Sequence, residues 1–335
     1  MILIISDQDH DGHVASVRSE LSRRGEEFRI FDPATYPESS TLTLESVPTG
    51  VRAFLSWDGS ELDLTRVKSV WYRRPGPFAL SDELTAEEDK WVRCECDHLF
   101  RGVWGSLHGL WVSYPDAIKR SSVKMTQLDM AMKMGFCVPR FTVTNDVDVA
   151  LQFISSCDGG VVVKVLANPA INYSEQACTL YTHLISKKDC DLIDSVRFGP
   201  TFLQEFVEKS MDVRVTVFGE ELFAVGIEST FLADARVDFR RANIYDLPHV
   251  VLTLPEGLQS MCISMVRRLG LNFGAIDLIL TSDGRYLFLE INPNGQWYWL
   301  EWVTGVPMTK SLCNLLVSGS DREESLCWPA GLSLD

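Results

Sequence analysis

The feature of this sequence that most constrains its fold is a predicted β-hairpin within residues 272–299. Asp283-Gly284 stands there between two apolar runs, and this dipeptide in that setting is a strong signal for a tight hairpin turn. A two-residue turn places Asp277 directly opposite Glu290. A three-residue turn would shift the pairing by one residue, so the length of the turn decides whether the two carboxylates meet.

The two faces of the predicted hairpin differ in chemistry, because side chains alternate between faces along a strand. One face is predicted to belong entirely to the core: Ile276, Leu278, Leu280, Leu287, Leu289 and Ile291. The other is predicted to carry three oxygen-bearing side chains among apolar ones: Ala275, Asp277, Ile279, Phe288, Glu290 and Asn292.

The opposed pair of Asp277 and Glu290 requires a compensating positive charge. Directly opposed residues have Cβ atoms about 5 Å apart, and like charges at that distance are destabilising. A cation between them reverses this effect, and two carboxylates with the Asn292 amide match the oxygen ligands that Mg²⁺ prefers. The alternative is an exposed hairpin with solvated acids, but Ile279 and Phe288 favour a covered face. We therefore predict a Mg²⁺ site on this hairpin.

The composition limits the class of protein and its partners. With 335 residues and 46% hydrophobic content, the chain is long enough for two or three globular domains. Its net charge of −15 argues against a nucleic-acid partner, since phosphate backbones are bound by basic surfaces. Nine cysteines without a CxxC pair indicate a reduced, cytoplasmic protein, and we expect neither a signal peptide nor a membrane-spanning helix.

The N-terminal residues predict an α/β domain. Residues 1–31 show the pattern of strand, helix and strand that opens a parallel sheet, and residues 41–64 are expected to add short antiparallel strands. The loop between the first strand and helix, Asp7–His13, matches the first half of a calcium-binding EF-hand loop. Arg18 occupies the position of the essential glutamate, so we reject calcium and expect the acids to lie at the helix N-terminus.

Several basic residues stand where an anion can be expected. Arg73 and Arg74 follow a strand and two aromatic residues, and they either bind the carboxylate of an acidic substrate or form a surface ion pair while the aromatics fill the core. Lys164 lies in an apolar strand, where its ammonium group either reaches solvent or meets an anion, and we favour an anion. A third basic cluster favours phosphate or carboxylate binding: Arg236, Arg240 and Arg241.

Taken in order, the polar residues resemble those of the ATP-grasp superfamily. The ordered set is Lys124, Lys164, Gln204-Glu205-Phe206-Val207, Asp212, Arg214, Asp277 and Glu290-Ile291-Asn292. Over nearly its whole length the chain resembles the peptide maturases that make microviridins and related graspetides. The closest matches to these maturases are Trp71–Pro75, Asp238–Arg240, Gly274–Asp277 and Leu289–Pro293. The chain departs from the superfamily's amino-acid ligases at Ala275, where those enzymes often carry arginine.

The resemblance implies an ATP-grasp fold within the α/β (α+β) class, in three parts. Residues 1–116 would form an N-terminal α/β pre-ATP-grasp domain. Residues 117–200 would form a central subdomain and residues 201–335 a C-terminal subdomain with the metal site, and these two would sandwich ATP. The resemblance also implies a homodimer.

The resemblance further implies roles for individual residues. The ATP-binding residues would be Lys124 and Lys164 on the phosphates, Gln204, Glu205 and Val207 at the adenine, and Asp212 on the ribose. The Mg²⁺ ligands would be Asp277, Glu290 and Asn292. The catalytic cations would be Arg214 and Arg240. The candidates for holding the acidic core of a precursor peptide are Arg73, Arg74 and Arg241.

The function that the resemblance implies is ATP-dependent crosslinking of a ribosomal precursor peptide, which consists of a leader and an acidic core. Side-chain carboxylates of Asp or Glu would be activated as acyl phosphates and joined to Ser or Thr hydroxyls or to Lys amines. One alternative is an ATP-grasp carboxylate–amine ligase that acts on amino acids or adds glutamate to a protein terminus. Another is a nucleotide-binding module without catalysis, against which the full set of lysines, acids and arginines argues.

Overall fold

The computed structural model describes residues 1–7, 11–48, 50–167, 170–172 and 177–319. The chain divides into two compact units, Met1–Pro115 with Pro307–Asp335 (unit 1) and Asp116–Val306 (unit 2). Both units combine helices with sheets, which confirms the predicted α/β class. Within the described residues, no helix is long and apolar enough to cross a membrane. The predicted three-part division at residues 116 and 200 stays a prediction.

Unit 1 is built on a four-stranded parallel sheet. Its elements are β1 (Ile2–Ile5), α1 (Gly12–Arg24), β2 (Phe28–Phe31), β3 (Ser40–Val47), β4 (Gly50–Trp57), β5 (Ser60–Asp63), β6 (Ser69–Tyr72), α2 (Ala86–Gly105) and β7 (Leu110–Val112). The strands of the parallel sheet have the order β2-β1-β6-β7. The predicted strand–helix–strand opening is therefore confirmed. The antiparallel strands β3, β4 and β5 form a second sheet, whose Leu55 and Trp57 pack into the same core as the parallel sheet.

Asp11, in the loop before α1, accepts hydrogen bonds both from the first turn of the helix and from an arginine. Asp11 caps the helix by accepting a hydrogen bond from the backbone N–H of His13 at 2.9 Å, as expected for an acid at a helix N-terminus. The other Asp11 oxygen accepts a hydrogen bond from Nε of Arg73 at 2.8 Å. The remainder of the motif considered for calcium, residues 8–10, lies outside the described residues.

The described residues of unit 2 form three antiparallel sheets, of two, four and five strands. Its elements are α3 (Pro115–Ser121), α4 (Lys124–Lys133), β8 (Phe141–Thr144), α5 (Val147–Ser155), β9 (Val161–Lys164), β10 (Ala170–Asn172), β11 (Ala177–Thr179), β12 (His183–Leu184), β13 (Thr201–Glu205), β14 (Met211–Phe218), β15 (Glu221–Ile227), β16 (His249–Leu252), α6 (Glu256–Arg268), β17 (Phe273–Leu280), β18 (Tyr286–Asn292) and α7 (Tyr298–Thr304). The four-stranded sheet has the order β12-β9-β13-β8, and the five-stranded sheet has the order β16-β15-β14-β17-β18. The final helix, α8 (Met308–Ser318), belongs to unit 1.

The predicted hairpin is formed by β17 and β18, but the predicted two-residue turn is wrong. The N–H of Thr281 donates to the carbonyl of Arg285 at 3.0 Å, which leaves a loop of three residues, and Gly284 takes a positive φ of 83°. Near the turn the pairing is therefore shifted by one residue. A β-bulge beyond Leu278 accommodates one extra residue on β18, Leu289, and restores the pairing of Asp277 with Glu290.

Between the turn and the bulge, the faces of the hairpin differ from those predicted. Leu278 pairs with Phe288 and Ile279 pairs with Leu287, so Phe288 and Leu287 exchange the faces predicted for them. The pairing of Asp277 with Glu290, on which the metal prediction depends, is confirmed.

The core face of the hairpin packs closely at Gly274. A Cβ atom at this position would lie 2.7 Å from Cδ1 of Ile291 and 2.9 Å from Cγ2 of Val266, which belongs to α6. Both neighbouring side chains are buried, so neither can move into solvent. The sheet and α6 can approach this closely only because residue 274 has no side chain.

We predict that Gly274→Ala lowers the free energy of unfolding by about 1–3 kcal/mol, because the added methyl overpacks a closed core. Gly257→Ala is the matched control, since a Cβ atom there meets nothing within 4 Å and lies in the first turn of α6. This control should leave stability unchanged or raise it slightly. Urea denaturation of both variants checks the prediction, and equal stabilities would contradict it.

Candidate active site

One face of the five-stranded sheet carries a row of charged side chains. Arg214 of β14 pairs with Asp277 of β17, which pairs in turn with Glu290 of β18. Paired residues of neighbouring antiparallel strands project on the same side of a sheet. The three side chains therefore lie next to one another across three adjacent strands.

Arg214 engages Asp277 with two hydrogen bonds. Its Nε lies 2.6 Å from Oδ1 and its Nη2 lies 3.3 Å from Oδ2, while Nη1 donates to the carbonyl of Gln296 at 3.2 Å. Burial raises the pKa of Asp277 and the neighbouring Glu290 carboxylate adds to this effect, whereas Arg214 opposes it. The pKa of Asp277 therefore rises mainly because burial penalises the ionised carboxylate, and a further positive charge beside it would favour the ionised form.

Two lysines from other elements surround Glu290. Lys124, the first residue of α4, places its Nζ 2.6 Å from Oε2 of Glu290. Lys164, at the end of β9, donates from Nζ to Oε1 of Gln204 at 3.3 Å. Burial alone would raise the pKa of Glu290, but the charges of Lys124 and Lys164 outweigh burial and lower it to about 2. Burial, with the nearby cations, lowers the pKa of Lys164 to about 8, although Glu290 opposes that shift.

A further cation reaches this region from the loop between β15 and β16. Arg240 is held by Asp238 through two hydrogen bonds, Nε to Oδ1 at 2.8 Å and Nη2 to Oδ2 at 2.7 Å. Asp238 is buried, whereas the Arg240 side chain is 47% exposed. Asp238 raises the pKa of Arg240, and Glu290 and Asp277 contribute to the same shift, which indicates that this guanidinium lies near the two acids.

The same loop also binds residues 181–182, for which the sequence indicated no role. The backbone N–H of Thr182 donates to Oδ2 of Asp238 at 3.0 Å, and its carbonyl accepts from Nη2 of Arg241 at 3.0 Å. The Arg241 guanidinium also lies 5.6 Å from the centre of the Tyr181 ring. These contacts border a cleft of about 470 Å³, lined by Tyr181, Thr182, His183, Leu184, Ala233, Asp234, Val237 and Arg241.

The predicted adenine and ribose residues occupy β13, the residues after it and the start of β14. The Gln204 side chain is buried, and no described residue accepts a hydrogen bond from its Nε2. Glu205 accepts from Nε of Arg140 at 3.1 Å, and Val207 is a half-buried residue beyond the end of β13. Asp212 is paired with Lys209, whose Nζ donates to Oδ1 at 2.8 Å.

Lys209 was not predicted from the sequence. The side chains of Lys209 and Asp212 are only 6% and 9% exposed, so each is the main compensation for the other's buried charge. The sequence around Lys209 and Asp212 does not show whether such a pair is buried or solvated.

Asn292 lies two residues beyond Glu290 on β18 and is exposed. Its Oδ1 accepts a hydrogen bond from the N–H of Asn294 at 3.1 Å, and its backbone pairs with Ala275. Across the described part of the chain, no three His, Cys, Asp or Glu side chains converge. A metal site here would therefore depend on two carboxylates and one amide. The opposed carboxylates and the raised pKa of Asp277 fit a divalent cation, because such an ion would relieve their repulsion.

Arg73 and Arg74 belong to unit 1 rather than to this cluster. The Arg73 side chain is paired with Asp11, as the ion-pair alternative expected, but it is 1% exposed, so this ion pair is buried rather than on the surface. Burial lowers the pKa of Arg73 to about 10. Arg74, the next residue, is exposed. A substrate role for either arginine stays a prediction.

Comparisons with known proteins were made for both units. Residues 1–119 match the MvdD pre-ATP grasp domain family, and residues 121–316 match the RimK-like ATP-grasp domain family. A search of curated proteins finds no match.

Three solved structures resemble the chain over almost its whole length. Macrocyclase MdnC from Microcystis aeruginosa MRC, bound with precursor peptide MdnA, is 26% identical with a TM-score of 0.82, covering 94% of this chain and 99% of that one. A RiPP-associated ATP-grasp ligase from Chryseobacterium gregarium, in complex with ADP and a leader and core peptide, is 26% identical with a TM-score of 0.87, covering 94% and 96%. Macrocyclase MdnB from Microcystis aeruginosa MRC is 27% identical with a TM-score of 0.78, covering 95% and 99%.

These matches confirm the resemblance inferred from the ordered polar residues. The RimK-like domain alone accounts for more than half of the chain. The chain belongs to the RimK-like ATP-grasp family.

Proposed function

We propose that the chain is an ATP-dependent ligase that crosslinks a ribosomal precursor peptide. Carboxylates of Asp or Glu side chains in the peptide are joined to Ser or Thr hydroxyls or to Lys amines of the same peptide. The observation that carries this proposal is the convergence of four cations around two opposed carboxylates: Lys124, Lys164, Arg214 and Arg240 around Asp277 and Glu290. In a chain of net charge −15, such a concentration of positive charge suits the phosphates of ATP and an acidic peptide.

The reaction proceeds in two balanced steps. An oxygen of the peptide carboxylate attacks the γ-phosphorus of ATP, the bond to the β,γ-bridging oxygen breaks, and ADP leaves. The hydroxyl or amine then attacks the acyl carbon of the resulting acyl phosphate, loses its proton, and expels inorganic phosphate. Each crosslink therefore removes the elements of one water molecule from the peptide.

The cations of the cluster suit both steps because each step develops negative charge on phosphate oxygens. Lys124 and Lys164 are assigned to the phosphates of ATP. Arg214 and Arg240 are assigned to the transferring phosphoryl group and to the acyl phosphate. Both arginines are oriented by a bidentate carboxylate, Asp277 and Asp238 respectively, so their positions are fixed before the substrate arrives.

Mg²⁺ is assigned to Asp277, Glu290 and Asn292. When bound, it would neutralise the charge of the ATP phosphates. The chain's own contribution is to hold the two carboxylates side by side on adjacent strands, where their mutual repulsion favours a divalent cation.

The nucleoside is assigned to β13 and the start of β14. The buried Gln204 amide, with its unused Nε2, offers a donor to the nucleotide, and backbone groups of Glu205 and Val207 are assigned to adenine. Asp212 is assigned to the ribose hydroxyls. Lys209 fixes the direction of that carboxylate through its ion pair.

The peptide substrate is supported by similarity to proteins crystallised with a precursor peptide or with a leader and core peptide. Arg241, which borders the cleft, and Arg73 and Arg74 are the proposed contacts to the acidic core. A homodimeric assembly and a cytoplasmic location are part of the same proposal.

We predict that Asp277→Asn and Glu290→Gln each reduce ADP release by about a hundredfold or more, because metal-assisted charge stabilisation is worth several kcal/mol in the transition state. Asp283→Asn in the same hairpin is the control, since the hydrogen bonds of this exposed carboxylate to described side chains are those with Thr281 and Arg285 in the turn. A coupled ADP assay with circular dichroism to verify folding gives the comparison. Normal turnover in both site variants would refute the metal assignment.

We predict that Arg240→Lys lowers kcat about 10- to 100-fold, because lysine cannot keep the two-point contact with Asp238 and still present a fork to a phosphoryl group. Arg236→Lys is the matched control, as Arg236 pairs with Glu208 at the exposed surface of the same loop. Initial rates of ADP release at saturating ATP measure both. If the two variants behave alike, the catalytic assignment of Arg240 is wrong.

The proposed function itself predicts the mass of the product. Incubation with ATP, Mg²⁺ and the precursor peptide encoded beside the gene should lower the peptide mass by one water per crosslink. Reactions without ATP or with Glu290→Gln should leave the mass unchanged. An increase in mass on adding free glutamate or another amino acid would instead identify a carboxylate–amine ligase.

A further inference from the structure

The strand that carries Glu290 is an edge strand, and its outer edge is covered by side-chain and loop contacts. β18 is the last strand of its sheet, so alternate backbone groups face away from β17, and on that side Leu287 forms an isolated parallel bridge with Cys137. The N–H of Phe288 donates to the carbonyl of Cys137 at 2.8 Å. Three residues further on, the outward groups of Ile291 meet the side chain of Gln127.

The Gln127 amide bonds to both polar backbone groups of Ile291. Its Oε1 accepts from the N–H of Ile291 at 3.1 Å, and its Nε2 donates to the carbonyl of Ile291 at 2.8 Å. The same Nε2 donates to the carbonyl of Ser121 at 2.6 Å. Gln127 is 3% exposed, so these bonds form where water cannot replace them.

The two outward contacts enclose the bulge. Leu289 and Glu290 are the only residues between Phe288 and Ile291, and they are the residues at which the register changes. Without the bulge, the shifted register that begins at the turn would continue along β18. A shift of one residue would move the Glu290 carboxylate to the opposite face of the sheet.

Gln127 also links the bulge to the phosphate lysine. Lys124 and Gln127 are three residues apart in α4, so they lie on one face of the helix. Lys124 contacts Glu290 and Gln127 contacts Ile291, the next residue of β18. One helical turn thus fixes both the direction of the carboxylate and the position of the ammonium group that meets it.

We propose that Gln127 is a positioning residue that holds the bulge of β18 in register and so aims Glu290 at the metal and phosphate site. This inference rests on the proposed function only in that Glu290 is taken to bind Mg²⁺ together with a nucleotide. Gln127 acts through the backbone of β18 and contacts neither ligand. An amide suits this task because it matches an adjacent N–H and C=O with one acceptor and one donor.

The test measures ADP binding by calorimetry, with Mg²⁺ and with EDTA, in Gln127→Met and Gln127→Asn. Gln127→Met removes all three hydrogen bonds. Gln127→Asn keeps the amide but shortens its reach by one methylene, and it is the milder variant that is expected to fold. With Mg²⁺ the dissociation constant for ADP should rise about 10- to 100-fold, as for other groups that orient a metal ligand. With EDTA it should change little.

Leu128→Ala is the matched control for a loss of helix packing. Leu128 is fully buried in α4 next to Gln127, and it is not one of the residues that hydrogen-bond to β18 in the described structure. Its substitution should lower stability without a Mg²⁺-specific loss of ADP binding. Equal losses in Leu128→Ala and Gln127→Met, or a loss that is the same with EDTA, would show a merely structural role and overturn the proposal.

A double-mutant cycle with Glu290→Gln adds a second criterion. If Gln127 acts through Glu290, Gln127→Met should cause little further loss of Mg²⁺-dependent ADP binding once Glu290 is replaced. Additive losses would contradict the proposal. In the ligand-free chain, amide hydrogen exchange of a peptide covering residues 286–292 should be faster in Gln127→Met than in Leu128→Ala.

The measurement separates this inference from the proposed function. ADP binding requires no peptide, so a chain that binds Mg²⁺ and ADP normally but fails to crosslink the precursor refutes the peptide proposal alone. A wild-type chain whose ADP binding does not depend on Mg²⁺ would overturn both this inference and the proposed function.

Discussion

The arrangement of unit 2 depends on one unfavourable interaction, the direct opposition of Asp277 and Glu290 on neighbouring strands. Like charges in paired positions repel, so the fold can keep them only with cations close by. The compensation is unequal. Glu290 has Lys124 and Lys164 and its pKa falls, whereas Asp277 has Arg214 and its pKa rises. Burial raises the pKa of Asp277 despite Arg214, so a divalent ion beside this carboxylate would help to keep it ionised.

The compensating cations come from four different elements, and this distribution is suited to a site that binds phosphates. Arg214 comes from the sheet itself, Lys124 from a helix, Lys164 from the second sheet and Arg240 from a loop. Cations on one element would all approach a ligand from one side. Cations on separate elements can surround a triphosphate, and two of them reach their positions only through carboxylates that orient them, Asp277 and Asp238.

The sequence predicted the pairing of the two carboxylates correctly but from a wrong turn. The Asp-Gly signal indicated a two-residue loop, whereas the loop has three residues and the bulge at Leu289 cancels the resulting shift. Alternation could not reveal this, because Leu289 is apolar and fits either face. The order of polar residues identified most of the cluster, since catalytic groups recur at characteristic places along a chain. Gln127, Thr182 and Lys209 were missed because their partners are recognisable only in three dimensions. For Gln127 the partner is 164 residues away.

The contact of α4 with the bulge of β18 covers the sheet edge and also brings a lysine to Glu290. An exposed edge strand offers its free backbone groups to other chains, and proteins commonly block such an edge. Another strand in that place would satisfy the same groups through its own backbone. A helix running along the edge satisfies them through Gln127 and delivers Lys124 to the carboxylate from the preceding turn. Protection of the sheet edge and construction of the proposed phosphate site are therefore the same packing interaction, and a change in one cannot leave the other untouched.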